Sequence, residues 1–149
     1  MTIKKYIASN PLFFAFLFPA VMDGTVTLVG QDASYWTNRV VNEGSPAYYF
    51  LLTSPWLFIL GGIVWFILWY AIFKKIKEPI NLFLMFLFIA GYSWGSTSWL
   101  WRMMRINGMY SVNNQILVMT AWSFMIVYFM LIAFFATYCL RIYLKFKSD

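Results

Sequence analysis

An aspartate inside an apolar run is the residue of this sequence with the most chemical leverage. Asp23 stands in PLFFAFLFPAVMDGTVTLV, followed by Thr25 and Thr27. At bilayer depth an ionised carboxylate costs a few kcal/mol or more unless it is paired or hydrated, so Asp23 needs a partner. Gly91, Gly95, Ser98, Arg102 and Arg105 are spaced four, three, four and three apart, which makes them one stripe of a helix. Gly91 and Gly95 would let a neighbouring helix approach closely, in the manner of a G-x-x-x-G contact. The upper end of the stripe would deliver Arg102 about one turn above Asp23. The expectation is an Asp23 to Arg102 contact, direct or through water, with Arg105 and Glu43 as extensions.

Together Asp23, Thr27, Glu43, Ser98, Arg102 and Arg105 form a candidate pocket for a lipid headgroup, a small anion or a proton. The plainer alternative is a satisfied polar clasp that fixes helix order and does nothing else. For Arg102 and Arg105, snorkelling to the interface is the commoner reason for a cation there. For Asp23 both readings stay open.

These residues need a lipid-embedded scaffold to position them. With 62% of residues hydrophobic and 11% charged, a chain of 149 residues has too much apolar surface for a soluble fold. Four apolar stretches are long enough to span, at about 11–29, 48–73, 80–101 and 116–140. The predicted fold is an all-α integral membrane protein, a single domain built as an antiparallel four-helix bundle with short connections. Lys4 and Lys5 ahead of the first run give a signal-peptide appearance, but no small-x-small site follows, so a retained span is expected.

Orientation follows from the basic residues. With the N-terminus inside, Lys4, Lys5, Lys74, Lys75, Lys77, Arg141, Lys145 and Lys147 lie on the inner side, and Arg39, Arg102 and Arg105 on the outer. Eight against three predicts cytoplasmic N- and C-termini. Aligned by depth, Asp23, Thr53, Ser54, Ser93, Ser96, Thr97, Ser98, Thr120 and Ser123 form a polar layer in the outer half. Trp and Tyr cluster at both boundaries as interfacial belts. The loop YWTNRVVNEGSP, too short for a domain and partly apolar, is expected to lie as a lid over that layer.

Asp23-Gly24-Thr25-Val26-Thr27, followed by Asn42-Glu43-Gly44-Ser45-Pro46 before the second span, resembles a pattern in small bacterial membrane proteins of unassigned function. Those proteins carry an Asp and a Thr in one helix and an N-E-x-x-P type loop after it. The resemblance covers about the first third of the chain. It implies that Asp23 and Glu43 are a linked pair, and it implies no particular chemistry. A bacterial inner (cytoplasmic) membrane is the expected location.

The chain contains no histidine, which removes the usual haem and zinc ligands and the commonest general base. The single Cys139 cannot form an internal disulfide. No nucleophile and base pair, metal cluster or phosphate loop is visible, so no catalytic residue, metal or cofactor is expected. The net charge of +6 flanks apolar runs and forms no stripe of its own, which argues against nucleic acid. The first functional expectation is a small non-catalytic accessory or assembly subunit, whose partners are lipid and other membrane subunits or further copies of itself. The alternative is a small oligomeric transporter, channel or lipid-binding protein using Asp23 and Arg102. A lipid-acting enzyme with Asp23 and Glu43 as acid and base ranks last.

Overall fold

In the computed structural model, which describes residues 3–148, the chain folds into helices throughout, and no strand occurs among the described residues. They are α1 (Ile3–Ser9), α2 (Pro11–Val29), α3 (Ala33–Asn38), α4 (Tyr48–Thr53), α5 (Pro55–Phe73), α6 (Ile80–Ile106) and α7 (Gln115–Ser148). Four of them, α2, α5, α6 and α7, are long and apolar enough to cross a membrane. The protein is a multi-pass helical membrane protein.

Local chemistry explains where the helices start and stop. Pro11 opens α2 at a position where its missing N–H is no loss. The second apolar stretch is not one helix over 48–73. It breaks at Ser54, because a residue before proline is driven out of the helical region, and Ser54 is extended at φ −170°, ψ 141°. Its hydroxyl then accepts from the Trp56 N–H at 3.2 Å and caps α5. The third helix runs past 101 to Ile106 and ends where Gly108 turns left-handed at φ 69°. There the Met109 N–H reaches back to the Met104 carbonyl at 2.8 Å, as in a glycine-terminated helix. The fourth starts from Asn114, whose side-chain oxygen accepts from Ile116 and Leu117 N–H at 3.1 and 3.3 Å. At 34 residues α7 is about 51 Å long, well beyond a bilayer core of about 30 Å.

The core is organised around α2. Forty-four per cent of its most apolar window is buried, against 6% for α5, and its largest interface is with α6, followed by α7. Phe16 is fully buried at the centre, with ring centroids 5.2 Å from Phe13, 5.2 Å from Phe73 and 4.9 Å from Phe88. Ala15 and Ala20 beside it are almost wholly enclosed, and their small size brings the neighbouring backbones close. Further up, Met104, Ala121, Met125, Tyr128 and Ile132 form a second buried cluster where α6 and α7 meet. Along the interface of α2 with α6, Phe16 stands by Phe88, Asp23 by Gly95, and Gly30 by Trp99.

Lipid tails are as apolar as the side chains, so burial here gains shape complementarity and dispersion more than transfer free energy. Phe16→Ala should therefore lower stability by about 2 kcal/mol, less than the ~3–5 kcal/mol typical of water-soluble cores. Phe134→Ala, at a position 75% exposed, should stay within about 0.5 kcal/mol of wild type. Thermal midpoints in detergent compare the two, and equal losses would contradict this placement of the core.

Candidate functional site

The polar groups at the end of the bundle that carries the loop at 30–47 lie in two storeys. The upper is built by the loop at 30–47 folding back on the ends of α2 and α6. Tyr35, on α3, is fully buried, and its hydroxyl donates to the Leu51 carbonyl at 3.0 Å. Burial pushes this phenol above its ordinary range against the pull of Arg39, so it remains a donor. Gln31 fixes the returning strand of the loop: its side-chain oxygen accepts from the Asn42 N–H at 3.0 Å, and its amide donates to the Thr27 carbonyl at 3.0 Å.

Arg102 is the hub of this storey. Its guanidinium pairs with Asp32 at 2.6 Å and donates to the Gly30 carbonyl at 3.2 Å. The Asn42 carboxamide oxygen faces it and accepts from both terminal nitrogens. The guanidinium carbon also lies 5.1 Å from the centre of the Trp99 ring. Trp99 in turn donates from its indole to Glu43 at 3.3 Å, and Glu43 accepts from the Ser45 N–H at 2.8 Å. A Cβ on Gly30 would collide with the Trp99 ring at 2.6 Å, so glycine is what lets the loop leave α2 this close to α6.

The lower storey holds Asp23. Six residues below the end of α2, it lies about 9 Å deeper than the loop. Its carboxylate fills the space that Gly95 leaves, where a Cβ on Gly95 would overlap it. Among the described residues Asp23 makes no hydrogen bond or ion pair. Its field reaches the phenols of Tyr92 and Tyr128, and that of Glu43 reaches it. Both phenols are held by other groups: Tyr92 accepts from the Trp65 indole at 2.6 Å, and Tyr128 shares a 2.6 Å hydrogen bond with Ser96.

The expected direct contact between Asp23 and Arg102 is therefore not made. The reason is register. Gly95 is the residue opposite Asp23, which puts Arg102 seven residues higher, about 10 Å along the axis instead of one turn. At that height the nearest carboxylate is Asp32 in the loop. The stripe also divides: Gly95 and Arg102 face α2, whereas Gly91, Ser98 and Arg105 are exposed. A Cβ on Gly91 would meet nothing, so Gly91 makes no close helix approach. Ser98 turns back to the Gly95 carbonyl at 2.7 Å, and the Arg105 guanidinium makes no hydrogen bond or ion pair among the described residues. Thr27 is buried beneath the Gln31 amide, and Glu43 belongs to the upper storey, where it is bonded to Trp99 and Ser45.

Sequence reasoning missed Asp32, Gln31, Asn42 and Trp99 as members of the network. Asn42 sits in the 35–46 loop expected to act as a lid and Asp32 three residues ahead of it, and a count of the carboxylates within reach of Arg102 would have included Asp32. Chemically, Arg102 is fully engaged and offers no free cation to an anionic ligand. Among the described residues Asp23 and Glu43 present two acidic groups with no basic side chain bonded to either. No known protein family, curated protein or solved structure matches the chain.

The fit between Asp23 and Gly95 can be measured. Gly95→Ala should cost about 1–3 kcal/mol through overpacking, and Asp23→Ala in the same chain should recover most of it. Gly91→Ala should be neutral or stabilising by up to ~1 kcal/mol. Additive effects at 23 and 95 would show that the two residues do not meet.

Proposed function

We propose that this chain is a small membrane transport or channel protein, working as an oligomer, that takes up a proton or small cation at Asp23 in the outer half of the bilayer. The observation that carries the reading is the state of Asp23: a carboxylate set into the groove left by Gly95, with no hydrogen bond or ion pair among the described residues, while Arg102 is engaged by Asp32. Intramembrane carboxylates that lack a structural partner mark ion and proton pathways. Glu43, bonded to Trp99 and Ser45 at the outer surface, supplies a second acidic group on the way in.

In this reading the four spans alternate in direction, both ends are cytoplasmic, and the membrane is the bacterial inner one, as the resemblance of the first third implies. The excess of lysine and arginine at one end supports the orientation. With Cys139 replaced by serine, a cysteine at Ser45 should react with an impermeant thiol reagent added to intact cells, and one at Lys75 only after permeabilisation. The reverse pattern would invert the topology and place Asp23 in the inner leaflet.

A second reading, an accessory or assembly subunit of a larger membrane complex, draws on α5. This helix leaves almost its whole circumference open, including Ile63, Val64, Ile67 and Leu68. One experiment separates the two. In proteoliposomes carrying an internal pH dye and a potassium diffusion potential, the wild type should conduct protons and Asp23→Asn should fall to the level of empty vesicles, with its thermal midpoint kept. Absence of flux in the wild type, with Asp23→Asn altering native assembly size, would favour the accessory subunit instead.

A further inference from the structure

At the interface of α2 with α6 two side chains hold hydrogen-bonding capacity that the described residues do not use. Asp23 is an acceptor that no described donor reaches. Tyr92 lies three residues back along α6 from Gly95, the residue opposite Asp23, and so on the same face one turn away. Its ring is stacked on those of Phe88 and Phe16, with centroids 5.9 and 6.4 Å away. Its oxygen accepts from the Trp65 indole at 2.6 Å, so one lone pair is taken while the phenol hydrogen is given to no described group. The hydroxyls beside it have spent theirs. Ser96 donates to the Tyr92 carbonyl at 2.7 Å, which makes Tyr128 the donor in the 2.6 Å bond between the Ser96 and Tyr128 hydroxyls. Thr25 donates to the Val21 carbonyl at 2.8 Å, and Ser98 to that of Gly95 at 2.7 Å.

The titratable groups whose fields meet at Asp23 are Glu43 from the loop, Tyr92 from α6 and Tyr128 from α7, while α5 contributes the Trp65 indole that holds Tyr92. Asp23 and Tyr92 feel each other without a direct hydrogen bond, a separation that one water bridges. A metal cation would need several oxygen lone pairs around it, and membrane sites for such ions find them in unwound backbone. Asp23 and Gly95 instead lie inside the uninterrupted helices α2 and α6, whose carbonyls already accept within the helix. With Trp65 on one lone pair, Tyr92 offers this carboxylate a hydrogen, which a metal ion would repel. We propose that Asp23 is a proton site and not a metal-cation site, with Tyr92, oriented by Trp65, donating to its carboxylate through one water. The inference rests on the reading of Asp23 as an ion-binding carboxylate and narrows its ion to a proton. On uptake a carboxylate oxygen bonds the incoming proton and the group becomes neutral, while Tyr92 keeps its own hydrogen throughout.

The test uses the full chain in lipid vesicles and infrared difference spectra recorded on stepping the pH, with the Asp23 carboxyl band identified by its loss in Asp23→Asn. Replacing N-methylglucamine with sodium or potassium at equal ionic strength should leave the amplitude of that band unchanged. Tyr92→Phe should move the band to higher frequency, as a carbonyl does on losing a hydrogen bond, with the thermal midpoint showing that the fold is kept. Trp65→Phe, which leaves the phenol in place but no longer orients it, should broaden the band without removing it. A band that shrinks when sodium or potassium is added at fixed pH would overturn the proposal. So would an unshifted band in folded Tyr92→Phe protein, or, if that variant does not fold, a band of unchanged width in Trp65→Phe. A wild type that shows the band and its dependence on Tyr92 yet conducts no protons would sink the transport reading and leave the proton site standing.

Discussion

A guanidinium at the end of an apolar spanning helix has to be neutralised by groups that the chain itself brings there, and in this protein the end of the bundle around Arg102 is arranged to meet that requirement. Arg102 reaches Asp32, the Gly30 carbonyl and Asn42, all from the segment that follows α2. The pairing ties the loop to α6, and the loop then carries Glu43 onto Trp99 and Tyr35 under the start of the second apolar stretch. Register sets the condition of Asp23 separately: Gly95 is the residue opposite it, and Arg102 stands about 10 Å higher beside Asp32.

The helices below follow a different logic. Water drives no association inside a bilayer, so close contact depends on small residues and matched shapes. Helix α2 supplies them: Ala15 and Ala20 flank the buried Phe16 ring, and Pro19 between them is enclosed as well. With α6 and α7 both packed on α2, they touch each other little, and α5 is left as the most lipid-exposed of the spans. The same central helix places Asp23 at its interface with α6, where Gly95 gives the carboxylate room.

Much of this was legible in the sequence, and the gaps have physical causes. The four spanning helices followed from run length and hydropathy, which depend on composition alone. Their ends did not, since α6 and α7 continue past the apolar region until Gly108 stops one and the Asn114 cap starts the other. The break at Ser54-Pro55 was present as a local signal, but an uninterrupted apolar run concealed it. At the site, Asp23 and Arg102 were identified as the residues with electrostatic consequences, and the error lay in pairing them. Depth counted from helix ends fixes height only to within a turn, and one further turn separates an ion pair from two independent groups. The Gly91 to Arg105 stripe failed for a related reason: steps of three and four share a face, but which residue of a stripe meets the neighbour depends on helix rotation, which periodicity leaves undetermined.

The central claim is that Arg102 belongs to Asp32 and leaves Asp23 without a cation. Two double-mutant cycles on unfolding free energy test it most directly, one joining Arg102→Gln with Asp32→Asn and the other joining Arg102→Gln with Asp23→Asn. For the first pair, which is partly exposed and screened but supported by neighbouring hydrogen bonds, the expected coupling is about 0.5–1 kcal/mol. For the second it should be indistinguishable from zero. A coupling of Arg102 to Asp23 that equals or exceeds its coupling to Asp32 would contradict the account.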